Sequence, residues 1–279
     1  MHNKLHPFAL AAAAAFLLLL LFQHESDAET QGLEAGYRCL YNLDFAGAHE
    51  AFAAWKRSHP EDPLGPVSNA AAYLFCEFDR LGILESELFT DNRRFESRRK
   101  PSPDPDARIA FEKELARTDA LTEHVLERSP KDADALFASI LANGLRGDYV
   151  ALIEKKNFEA LKYIKKSRSA AERLLALSPD YYDAYLAIGV ENYLLSLKPA
   201  PVRWFLRIGG AQTDKREGIS KLRLTAEKGR YLAPYARLLL AVAALRDDDH
   251  NTAKDLLAGL STEFPENQLY KNELHRISK

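Results

Sequence analysis

GAHEAFAAWKRSHPED, residues 47–62, and TAKDLLAGLSTEFPEN, residues 252–267, lie at opposite ends of the chain and share one skeleton. In each, a small residue (Ala48, Ala253) is followed four positions later by a bulky apolar one (Phe52, Leu257), and then by a proline (Pro60, Pro265). Each also has a small residue twelve positions before its alanine, Gly36 and Ala241. Two antiparallel helices joined by a short turn pack closely only where one presents Gly or Ala to the other, while the large residue a turn later fills the gap to the next pair. The skeleton therefore predicts helical hairpins.

The same punctuation recurs between the two ends. Prolines close helical runs at Pro60, Pro130, Pro179 and Pro265, each followed by Asp62, Asp132, Asp180 or Asn267, which can cap a following helix. Helix, proline, cap, helix resembles the tetratricopeptide repeat, whose period is about 34 residues. Tyr185 and Gly189 match the first-helix half of a further unit; ahead of Pro130 the small and large positions hold Thr118 and Thr122. The spacings between closing prolines exceed one period, so the array carries insertions: polar, proline-rich 85–106; an apolar-periodic stretch that lengthens the hairpin after Asp132; and 197–214.

The resulting expectation is an all-α, right-handed superhelical array of about five degenerate hairpins. Its units lie near 29–60, 62–130, 132–179, 180–230 and 232–266, with a terminal helix over 267–279. In such an array each hairpin touches only its neighbours.

Composition supports helix and excludes little else. The 279 residues include 38 basic and 40 acidic side chains, a near-neutral balance that gives no field for nucleic acid. Lys4 followed by the apolar run from Phe8 to Phe22 and then Ser26-Asp27-Ala28 reads as a secretory signal cleaved after Ala28, which places the mature chain in the periplasm or outside the cell. The alternative is an anchor retained at residues 8–22. Two cysteines, Cys39 and Cys76, are too few to hold a chain of this length, whether they pair or stay as thiols.

A second, narrower resemblance lies in the C-terminal half. Gly189, Tyr193, Ser196-Leu197, Pro199, Gly209-Gly210 and the run Asp214 to Gly218 are similar to a tract of the tetratricopeptide repeat protein 39 family. That resemblance implies a helical adaptor rather than an enzyme.

No catalytic or cofactor constellation stands out: there is no H-E-x-x-H, C-x-x-C, G-x-S-x-G or Walker loop, and the histidines are scattered. No cofactor or metal is therefore expected. His49 reads as a solvated helix residue, Asp247 to Asp249 as a turn, and Asp214 with Glu217 as a helix cap. The basic groups at 93–100 and at Lys162, Lys165, Lys166 and Arg168 read as wet faces.

What remains is surface. The repeat phase predicts that Tyr37, Tyr193, Tyr235 and Arg246 line the concave side, where a segment of a protein partner can lie. The insertion at 197–214 concentrates Val202, Trp204, Phe205, Leu206 and Ile208 among Lys198, Arg203 and Arg207, and Trp204 and Phe205 join the expected partner-binding set. The function expected is an exported scaffold binding a protein in the cell envelope. The alternatives are a peripheral membrane protein acting through 197–214 and an enzyme whose site is scattered in sequence.

Overall fold

The computed structural model describes residues 32–84, 100–198, 200–208 and 210–278, without the side chains of residues 201 and 205–207. The expected leader and most of the 85–106 insertion lie outside the described residues. Among the described residues every regular element is helical.

Among the described residues twelve helices follow one another: α1 (32–41), α2 (Phe45–Ser58), α3 (Leu64–Arg80), α4 (Pro105–Arg128), α5 (Ala133–Asp148), α6 (Asn157–Leu177), α7 (Tyr185–Ser196), α8 (Ala200–Ile208), α9 (Lys215–Lys228), α10 (Ala233–Arg246), α11 (His250–Glu263) and α12 (Gln268–Ile277). From α2 onward consecutive described helices pack on one another, except that α9 takes the place of α8 against α7.

The pairing follows the small-residue positions. Gly36 of α1 lies against the ring of Phe52 on α2, where any side chain at 36 would collide with it. Ala48, Phe52 and Ala253 are fully buried, and Ala241 and Leu257 nearly so. Thr118 and Thr122 fill the corresponding places on α4, with the Thr118 hydroxyl donating to Glu114 O at 2.9 Å so that its methyl can pack. Ala253→Leu is accordingly expected to cost about 1–3 kcal/mol, because the α10–α11 contact cannot admit a larger side chain without moving a helix. An unchanged thermal unfolding curve for that variant would show that Ala253 is not at a close contact.

The two kinds of turn differ in chemistry. After α2, α4, α6 and α11 the chain turns through a proline, and Asp62, Asp132 and Asn267 then accept from the backbone amides of Leu64, Ala135 and Leu269. Asp180 makes no such cap, since the short 3-10 turn Tyr182–Ala184 begins there without one. At the other edge, the turns leaving α1, α3, α5, α8 and α10 each pass through a residue of positive φ: Leu43, Gly82, Lys155, Gly210 and Asp248. All three insertions fall on this second edge. The second lengthens the α5/α6 pair, as α5 runs on through a π-turn at Tyr149–Ile153 and α6 extends over 21 residues. The third is not an open loop; it folds as α8.

The expectation that each hairpin meets only its neighbours does not hold. α1 reaches the far end of the chain: Tyr41 Oη donates to Tyr231 O at 2.8 Å, and Asn267 Nδ2 donates to Tyr41 O at 2.8 Å. The Tyr37 ring lies 5.1 Å from that of Tyr231, and Tyr41 lies 5.4 Å from Phe264. Arg230 pairs with Glu34 at 2.7 Å. α1 thus packs against the C-terminal helices within an aromatic cluster in which Phe137 also stacks on Tyr231.

Candidate functional site

The turn following α7 is where the sequence carries more residues than a hairpin needs, and both of its flanks are fastened. On the entering side, Arg203 turns back and donates from Nη1 to Lys198 O at 2.8 Å, supplying a partner for a carbonyl beyond the C-terminus of α7. On the leaving side, Asn192 Nδ2 donates to Gln212 Oε1 at 2.8 Å, and its Oδ1 accepts from the Asp214 amide at 3.0 Å. Glu191, whose side chain has no exposure, pairs with Arg168 Nε at 3.2 Å and accepts from the Gln212 amide at 3.3 Å. Burial raises the Glu191 pKa, while Arg168 and that amide pull the other way. Arg168, expected on a wet face, is thus committed to a buried pair. Asp214 then caps α9 through the amides of Arg216 and Glu217.

The helix held between these anchors faces outward. Trp204 is 67% exposed and Ile208, one turn later on the same face, is 66% exposed. The Phe205 side chain lies outside the described residues. Other large apolar side chains are exposed along the same edge: Ile109 near the start of α4, Phe158 at the start of α6, and Leu194 at the end of α7. These places are physically continuous. Arg108 reaches Glu154 of the α5/α6 turn at 3.7 Å, Lys156 bridges Glu154 and Glu159, and Leu161 of α6 packs on Leu195 and Ala211 beside α8.

The tyrosines expected to line a concave face are placed differently. Tyr37 is buried between Phe52 and Tyr231 and accepts from the Ser68 hydroxyl at 3.1 Å. Tyr193 is buried at the α7/α9 contact, and desolvation pushes its phenol up to about 12. Tyr235 is half-buried, edge-on to Phe75 at 5.8 Å, and Arg246 is half-buried in the last turn of α10. The structure does not bring these four together on one open surface; of the expected contact residues with described side chains, Trp204 is the exposed one.

Three polar features were not foreseen. His49, expected on a wet helix face, is half-buried against the Tyr73 ring at 4.2 Å and shares a 2.7 Å hydrogen bond with Asn69, which donates to Glu114. Asp183 is buried and collects the backbone amides of Arg230, Tyr231 and Leu232. Asp148, half-buried at the end of α5, is shielded enough that desolvation pushes its carboxyl up to about 7. Alternation of polar and apolar residues gives no signal for an interior acid such as Asp183. Cys39 and Cys76 are both thiols, and among the described residues no cluster of His, Cys, Asp and Glu is placed to hold a metal ion.

Asp148 provides a pH test. Its folded pKa lies above the unfolded carboxylate value, so the folded state holds the proton more tightly and this group's contribution to stability falls as pH rises from about 4 through 7. Asp148→Asn is expected to raise Tm at pH 8, by an amount equivalent to about 2 kcal/mol, and to leave it unchanged at pH 4. Equal effects at both pH values would contradict this placement.

No protein-family model matches the chain, and no curated protein matches it in sequence.

Proposed function

We propose that the chain is an exported, tetratricopeptide-like helical scaffold without a catalytic role, and that its working surface is the edge carrying α8. The right-handed array of repeats is part of this proposal; it is supported by the Gly36–Phe52 contact and by the buried Ala253 and Leu257 in matching places. Placement at the cell envelope rests on the apolar run and small residues at the start of the chain.

One observation carries the choice of surface. Trp204 and Ile208 stand exposed on a helix whose flanks are anchored by Arg203, Asn192 and Glu191, whereas Tyr37 and Tyr193 are consumed by the core. A fastened, outward apolar helix has the form of a contact element, since a segment needed only to connect α7 to α9 has no use for it.

The test compares wild type with a Trp204→Ser/Ile208→Ser double variant in the native envelope fraction. Because both side chains are exposed, Tm is expected to stay within about 2 °C. Association with the envelope fraction is expected to fall by roughly tenfold, reflecting lost apolar contact area. Unchanged association at unchanged Tm would overturn the assignment of this edge.

A further inference from the structure

We infer that the α8 edge docks on an anionic lipid surface, with α8 as one anchor and Phe158 as a second. The inference rests on the proposed contact edge and names its occupant.

Charge is the first argument. Within 197–214 the sequence has three cations, Lys198, Arg203 and Arg207, and one carboxylate, Asp214, whose oxygen is engaged in capping α9. Along the neighbouring stretch Glu154 and Glu159 are shared among Arg108, Lys156 and Lys162. The stretches carrying the two anchors are therefore net positive, with Lys198, Arg203 and Arg207 against Asp214 around α8 and Lys155, Lys156 and Lys162 against Glu154 and Glu159 around Phe158, whereas the start of α4 is acidic, with Asp104, Asp106 and Glu112 against Arg108, and the whole chain carries a formal charge of −2. A positive strip on a near-neutral protein selects an anionic surface and makes the attachment salt-dependent.

The second argument is the kind and placement of the apolar groups. They project singly from α8 and from the start of α6, where Phe158 is 80% exposed. A protein partner's groove is met by a contiguous apolar patch. Separate apolar prongs rising from a cationic strip suit a medium that closes around each, as the interfacial zone of a bilayer does. Trp204 fits that zone, having an apolar body and one N–H donor. α8 is too short to span a membrane, at nine residues, but long enough to lie in its surface.

The experiment uses flotation of the protein with vesicles of phosphatidylcholine alone or with about one-third phosphatidylglycerol, a composition chosen to supply the surface charge. Wild type is expected to float with the anionic vesicles, at least roughly tenfold more than with the neutral ones, and to be released by 0.5 M NaCl, a salt level at which the Debye length is only about 4 Å. Trp204→Ser and Phe158→Ser are each expected to weaken binding by about tenfold, through loss of one buried aromatic anchor. The indole emission should shift to the blue on binding in wild type and stay unshifted in Trp204→Ser. Absence of flotation, or flotation that Phe158→Ser leaves intact, overturns the inference. So does dimerisation through Trp204 without vesicle binding, seen by light scattering. If flotation is absent while Trp204→Ser/Ile208→Ser still loses envelope association, the lipid inference fails and the contact edge stands.

Discussion

Gly218→Val is expected to cost about 3 kcal/mol or more, above the usual range for an overpacked core site. A Cβ on residue 218 of α9 would stand 2.6 Å from the backbone nitrogen of Tyr193 and 3.0 Å from the carbonyl oxygen of Gly189, both in α7. Side chains can swing away from a clash, but a helix backbone cannot. The two helices would have to separate, and the buried Tyr193 and Leu222, which pack in the same cluster, would lose their contacts together. Gly218→Ala should show a smaller loss in the same direction, because it brings the Cβ without the branches. Urea unfolding measures both; a Gly218→Val protein as stable as wild type would mean that α7 and α9 do not cross this closely.

Asp183→Ala is expected to be as damaging, at roughly 3–5 kcal/mol, for a different physical reason. Asp183 is 3% exposed, and its carboxylate accepts from the amides of Leu232 at 2.8 Å, Arg230 at 2.9 Å and Tyr231 at 3.1 Å. These amides precede α10 and have lost water as a partner. Truncation leaves buried donors unsatisfied, each costing about 1–3 kcal/mol before relaxation. Burial raises the Asp183 pKa and these amides hold it back, so the carboxylate depends on them as they depend on it. Thermal unfolding together with hydrogen exchange at residues 230–232 tests this. Exchange rates unchanged from wild type would show that Asp183 does not hold the turn.

Helix content and helix ends were legible because they are written in local chemistry. Gly36, Ala48, Phe52, Ala253 and Leu257 could be read since a close helix pair excludes all but small residues at fixed spacing, and Pro60, Pro130, Pro179 and Pro265 since proline ends a helix whatever surrounds it. The opposite edge could not be read in the same way. Its turns use Leu43 and Lys155 in a left-handed conformation, for which neither residue has a preference. α8 was visible only as an apolar cluster; its outward direction comes from anchors at Asn192 and Glu191, whose partners are some twenty residues away. The same limit explains the tyrosines. Repeat phase assigns Tyr37 a direction, but only the tertiary structure puts Tyr231 in front of it.

The contact between α1 and the α11–α12 turn links residues more than two hundred positions apart, as in the hydrogen bond from Asn267 to Tyr41. A ribosome delivers α1 more than two hundred residues before Asn267. At about 5–20 residues per second, Tyr37 and Tyr41 wait on the order of ten seconds or longer before Tyr231 and Phe264 exist to cover them. During that interval the nascent chain displays an aromatic face that the finished protein hides, and a chain travelling unfolded would keep it displayed for longer. A holding chaperone that grips aromatic segments would find a site in α1 during synthesis and lose it when Tyr231 and Phe264 arrive to cover Tyr37 and Tyr41.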